Sequence, residues 1–134
     1  MKQGCSLIII NDQEQILLLL RDNIPTIPYP NMWDVIGGSL EGNETPEQCI
    51  IREIKEEMDI DIVDIQLFEI NYYPFRKENT FWKKINLDIE TINLNEGQRL
   101  KWFNKYEIEN TTLAYEFNPI LNNFFQKKPF KKKK

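Results

Sequence analysis

Glu53, Glu56 and Glu57 stand at i, i+3 and i+4, a spacing that could bind cations. At roughly 100° per residue they fall within about a 100° arc of one helix face. Ile50, Ile51, Ile54 and Met58 fill the neighbouring arc and would bury the helix against a sheet. Like charges at this spacing repel and weaken a helix, whereas a divalent cation turns the repulsion into attraction. Carboxylates together with water and a phosphate oxygen are the usual ligand set of Mg²⁺. The segment therefore suggests a magnesium–phosphate site. Taken alone, residues 52–57 are most often a solvated helix face, with Arg52 pairing Glu56 one turn on.

The flanking residues favour the first reading. From Gly38 to Ile60 the chain reads G-x5-E-x7-R-E-I-x-E-E-x-x-I, with Glu44 and Arg52 completing the charged set. This spacing resembles the signature of the Nudix hydrolases, which ends E-E-x-G-hydrophobic. Every charged position of that pattern is present. Trp33-Asp34-Val35-Ile36-Gly37-Gly38 resembles the family's W-x-x-P-G-G entry, and Glu96 to Trp102 resembles the E-x5-W stretch of MutT-like members. Three positions depart from the pattern. Asp59 replaces the glycine that ends the helix in left-handed geometry, Ile36 replaces the proline, and Asn43 replaces a common glycine. None of the three removes a ligand. Aspartate tolerates left-handed geometry better than most residues, so Asp59 costs only about 1 kcal/mol.

The resemblance implies an α/β protein, the Nudix α/β/α sandwich with a mixed central sheet. It implies water attack on a bridging phosphorus with Mg²⁺ or Mn²⁺. Glu53, Glu56, Glu57 and the Gly37 carbonyl are the implied metal ligands, and Arg52 with Glu44 would orient the carboxylates. Glu53 and Glu96 are both candidates for the general base. Trp33, Phe75 and Phe81, with Tyr73, are candidates to stack on a nucleobase, and Asn118 falls where MutT-like members place a purine-reading asparagine. The leading substrate is a (d)NTP, cleaved to the monophosphate and pyrophosphate. Pro74, fourteen residues beyond Ile60, keeps a nucleotide sugar such as ADP-ribose open. A non-catalytic nucleotide- or RNA-binding module is the rival from another class, and the retained glutamates argue against it.

Composition narrows the chemistry further. The 134 residues suffice for one domain with a core but not for two. There is no histidine, which excludes serine or cysteine hydrolases with a histidine base and histidine–metal phosphohydrolases. A base here must be a carboxylate, or else a lysine or tyrosine. The net charge of −4 hides an asymmetry: six of the 17 basic residues follow residue 126, leaving residues 1–126 at −10. An acidic body is a poor surface for duplex nucleic acid. Residues 1–126 are expected to form the domain and residues 127–134 a frayed, basic tail. Cys5 and Cys49 read as buried free thiols, which fits a reducing cytoplasm. The longest apolar runs, residues 7–10 and 16–20, are too short to cross a membrane, and no signal peptide is expected. The expected partner is a nucleotide substrate, with a homodimer left open.

The elements follow from pattern. Residues 6–10 and 16–20 read as a hairpin, and residues 22–31, with three prolines, as a loop. Thr45 at N-cap, Pro46 and Gln48 predict a capped helix running to about Met58. Residues 60–73 are expected as one long or bent strand, 76–79 as a loop and 81–87 as the return strand, extended by 88–92. A short strand at 100–103, a helical start at 104–109 and a final helix at 116–125 complete the chain.

Overall fold

The computed structural model describes residues 2–131. Strand β1 (Lys2–Ile10) is the axis of the sheet. It is followed by β2 (Ile16–Leu20), β3 (Trp33–Asp34), β4 (Ile36–Ser39), α1 (Pro46–Met58), β5 (Gln66–Tyr73), β6 (Arg76–Lys84), β7 (Arg99–Phe103), α2 (Lys105–Glu109) and α3 (Asn118–Lys127). The main order is β3-β2-β1-β6-β5, with β4 pairing β1 and β7 pairing β2. Only β1 and β6 run parallel; every other pair is antiparallel, so the sheet is mixed.

Alternation along β1 and β2 explains why helices cover both faces. Leu7, Ile9 and Leu17 pack with Ile50, Ile54 and Met58 of α1. Ile8, Ile10, Ile16 and Leu18 point the other way, into a core completed by Ile108 of α2 and Leu121, Phe124 and Phe125 of α3. A strand buried on both faces reads as a continuous apolar run, as Leu7 to Ile10 does. Helix α1 starts as expected, whereas α3 begins at Asn118 rather than at residue 116. The Thr45 hydroxyl accepts from the Gln48 N–H, and the Gln48 side-chain oxygen accepts from the Thr45 N–H, forming a capping box. Asp59 ends α1 at φ 55°, left-handed despite its Cβ.

Several expectations are corrected. Residues 60–65 are not strand: Asp59 and Asp64 both take positive φ, and buried Ile62 tucks into the core below α1. Residues 76–79 are not a loop but the first half of β6, so the turn shrinks to Pro74–Phe75. Residues 89–91 form a 3₁₀ turn capped by Asp88, not a strand extension. Cys5 and Cys49 are joined as a disulfide between β1 and α1. A separation of 44 positions hides in sequence that the β1–α1 packing brings them together. Cross-linking a loop of that length restricts the unfolded chain by about 4 kcal/mol in the entropic account.

Packing continues past residue 126. α3 continues to Lys127, and Phe130 is buried against Phe124 and Phe125. The rest of the expected tail, residues 132–134, lies outside the described residues. Phe130→Ala is expected to lower unfolding free energy by about 3 kcal/mol in urea titration. An unchanged midpoint would place this segment outside the core.

Candidate active site

The acidic face of α1 is organised by one cation. Arg52 grips Glu44 through two bonds, Nη2 to Oε1 at 2.6 Å and Nε to Oε2 at 3.0 Å. Its Nη1 donates to Glu53 at 2.9 Å and Glu56 at 3.1 Å, and Nη2 also donates to the Ser39 carbonyl at 3.1 Å. Arg52 thus ties the loop before α1, the end of β4 and two carboxylates into one network. Its hydrogen bonds lower the Glu44 pKa and raise its own.

Gly37 and Gly38 bring the helix and the sheet this close. A Cβ on Gly38 would overlap the Glu53 carboxylate, and one on Gly37 would strike the Cys5 carbonyl of β1. The demand for glycine at position 37 therefore comes from strand packing.

Glu57 has no such partner. It is 7% exposed, its Oε2 is buried without a hydrogen bond, and Arg52 is bonded elsewhere. Burial, then the charges of Glu53, Glu96, Asp34 and Glu56, push its pKa up to about 8. Burial also raises Glu53, with Arg52 opposing. Glu96 reaches this site because its loop is pinned at both ends. The Asn95 N–H donates to the Glu57 carbonyl at 2.9 Å and the Asn95 amide to the Glu56 carbonyl at 2.6 Å. On the other side the Gln98 N–H donates to the Leu20 carbonyl at 2.8 Å. A cleft of about 250 Å³ joins Glu57, Glu96, Gly37, Asp34 and Arg21.

The chemistry of this set fits a hard divalent ion. All the donors are oxygens, and a carboxylate oxygen is buried without compensation. Among the described residues no three acidic side chains are gathered tightly enough to cage an ion by themselves. The physical reason is Arg52, which draws Glu53 and Glu56 toward itself.

The expected base-reading residues scatter. Trp33 packs edge-on against Phe103 with Arg99 above its ring, among core residues. Phe81 is buried against α1 and cannot stack on a ligand, which corrects that expectation. Asn118 is also corrected: it accepts from the Leu113 N–H and donates to the Ile108 and Thr111 carbonyls, so its amide is occupied in holding the α2–α3 connection. Phe75 stands 87% exposed on the β5–β6 turn.

A second cavity, of about 260 Å³, shares Arg21, Asp34 and Gly37 with the cleft and extends across β1 to Arg76, Glu78 and Tyr115. Sequence reasoning gave no role to Arg21, Arg76, Glu78 or Tyr115. Their one signal was an acid and an arginine flanking aromatic residues in a run that reads as a loop. Burial raises Asp34 to about 6 against the Arg21 ion pair at 3.2 Å, and raises Glu78 to about 7 against Ser6 and Arg76.

Comparison with known proteins agrees with this geometry. The NUDIX domain family model matches residues 2–125. The chain belongs to the Nudix family. An 8-oxo-dGTP diphosphatase of Proteus vulgaris is 44% identical over 43 residues, covering 32% of this chain and 38% of that protein. An NAD-capped RNA hydrolase NudC of Vibrio atlanticus is 39% identical over 71 residues, covering 53% and 25%. The matches thus span well under half the length of these relatives. Among solved structures, a MutT from work on Aliivibrio salmonicida and Vibrio cholerae superposes with TM-score 0.76 at 20% identity, covering 94% of this chain and 98% of that one. The Nudix domain of Shewanella oneidensis NrtR, solved with ADP ribose, gives 0.75 at 15%, covering 94% and 86%. These two show a shared fold. Among the described residues no helix is long and apolar enough to cross a membrane.

The Glu57 carboxyl makes stability depend on pH. Unfolded it ionises near 4.5, folded near 8, so between these values the unfolded chain binds fewer protons. Stability in metal-free buffer therefore falls as pH rises from about 5 to 8, by up to about 4 kcal/mol from this group. Asp34 and Glu78 act with the same sign, so the comparison with Glu57→Gln isolates the effect. With EDTA at pH 8 the variant should unfold at higher denaturant concentration than the parent. Equal midpoints would mean that the buried charge is relieved elsewhere.

Proposed function

We propose that this Nudix protein is a metal-dependent pyrophosphohydrolase that cleaves the diphosphate bridge of a nucleotide, with a (d)NTP as the leading substrate and a monophosphate and pyrophosphate as products. The observation that carries this reading is Glu57, a carboxylate buried beside four other acids with one oxygen unpartnered. Isolated buried charge is costly unless something opposite in sign compensates it.

Mg²⁺ or Mn²⁺ would be held by Glu53, Glu56 and Glu57 with the Gly37 carbonyl. When bound, such an ion supplies positive charge against the negative charge that builds on the diphosphate. The remaining work belongs to the chain. Arg52 fixes the position of Glu53 through its bond at 2.9 Å, and Glu44 braces Arg52 against rotation. Arg21 sits in the same cleft and can pair with a phosphate oxygen, provided its bond to Asp34 yields.

A carboxylate must take the proton of the attacking water. Glu53 and Glu96 both face this region, and each raises the Glu57 pKa by its charge. Replacement by glutamine tests them: the base should lose about 10²–10⁴-fold in kcat, and Glu96→Gln, which removes no metal ligand, should lose less than about 10-fold if Glu53 is the base. Equal, small losses in both variants would exclude both.

The central experiment is a panel of (d)NTPs, oxidised purine nucleotides, ADP-ribose and NAD⁺, assayed with Mg²⁺ and with Mn²⁺. Turnover of a nucleotide by the parent and its loss in folded Glu57→Gln is the expected result. Full activity in that variant would refute the metal assignment. Binding of nucleotide or RNA without any turnover would favour the non-catalytic module.

A further inference from the structure

The second cavity holds polar groups that the diphosphate chemistry does not use. Glu78 of β6 is 5% exposed and lies across β1 from that cleft. Its place depends on register: Glu78 is opposite Gly4 in the parallel β1–β6 pair, and a Cβ on Gly4 would overlap its Oε1. Beside it, Arg76 Nε stands 3.4 Å from Glu78 Oε1, close enough for an ion pair but without a hydrogen-bond partner. The guanidinium is held without that bond, because it lies over the rings of Tyr73 at 4.8 Å and Tyr115 at 5.3 Å. Tyr115 itself sits at φ 55°, and Glu116 after it at φ 57°. Two consecutive left-handed residues that are not glycine store strain of order 1–3 kcal/mol each. Such strain persists where the surroundings require one side-chain position, here the one that roofs the cavity.

We propose that Glu78 and Arg76 determine base specificity by reading the 2-amino-4-oxo edge shared by guanine and pterin rings. The assignment rests on the nucleotide-hydrolase reading above. A carboxylate offers two adjacent acceptors, and Arg76 Nε adds a donor next to them. The complementary edge is two adjacent N–H donors followed by a carbonyl, which is the amino group, ring N–H and oxo group of guanine. Cytosine and adenine each set a ring-nitrogen lone pair against one carboxylate oxygen. Uracil sets a carbonyl there. The cavity, at about 260 Å³, suits a ring more than a whole nucleotide. Its shared wall with the acidic cleft, at Arg21, Asp34 and Gly37, lets the phosphates continue toward α1.

Calorimetry with GMP, IMP and AMP in EDTA tests the edge without catalysis. The parent should bind GMP about 10- to 100-fold more tightly than AMP, and IMP, which lacks the amino group, should be weaker than GMP by a similar factor. Glu78→Gln, which replaces one acceptor with a donor, should erase the GMP preference and improve AMP. The same reversal should appear in kcat/KM for dGTP against dATP with Mg²⁺. Equal GMP and IMP affinity in the parent, no measurable GMP binding, or an unchanged GMP:AMP ratio in Glu78→Gln would each overturn the assignment. The parent arm stands even where the variant fails to fold. A parent that binds GMP selectively but hydrolyses nothing would sink the hydrolase reading alone.

Discussion

Around α1 more carboxylates gather than one guanidinium can satisfy, and that imbalance shapes the rest of the site. Arg52 satisfies Glu44 twice and still reaches Glu53 and Glu56, but Glu57 and Glu96 are left facing each other across the cleft. Burial then amplifies the repulsion, because a low-dielectric surrounding screens it less than water does. A helix face of this kind is poorly stable alone. It persists because its opposite face, Ile50, Ile54 and Met58, is locked into the sheet, and because Cys49 is bonded to β1. The apolar packing holds the acids together against their mutual repulsion.

β1 links every functional part. One side chain set faces α1 and the alternate set faces α2 and α3, so the strand fixes both layers at once. Its edges do equal work. Antiparallel pairing with β4 aligns Cys5 with Gly38, setting the glycine pair under Glu53, and parallel pairing with β6 aligns Gly4 with Glu78. The acidic cleft and the ring-sized cavity are thus neighbours because they flank the same strand. Rigid strands hold such sites more closely than loops do. The one loop that contributes, residues 95–98, is bonded to α1 on one side and β2 on the other.

Legibility in the sequence followed the range of the interactions. The helix was readable because Thr45, Pro46, Gln48 and the apolar stripe act within a few residues of one another. Asp59 was readable only as a departure from the family's helix-ending glycine, and the structure gives it the left-handed turn. The error at residues 76–79 has the opposite cause. Arg76, Lys77, Glu78 and Asn79 carry no strand propensity, yet β1 and β5 on either side supply their backbone partners. Phe81 and Asn118 were misplaced because an aromatic or an amide has the same letter in a core, a cap or a pocket. Only packing distinguishes these.

By itself, then, the chain's order of residues determined the family, the capped helix, the acid face with its arginine brace, and the absence of any histidine chemistry. These depend on spacing along a single element or on composition. Tertiary structure alone decided which acid lacks a partner, that Cys5 meets Cys49, that Phe130 belongs to the core, and that Glu78 and Arg76 share a cavity with Asp34. Each of those pairs residues from different elements. Strand register and burial set their distances and their charge states, and neither quantity is a local property of the chain.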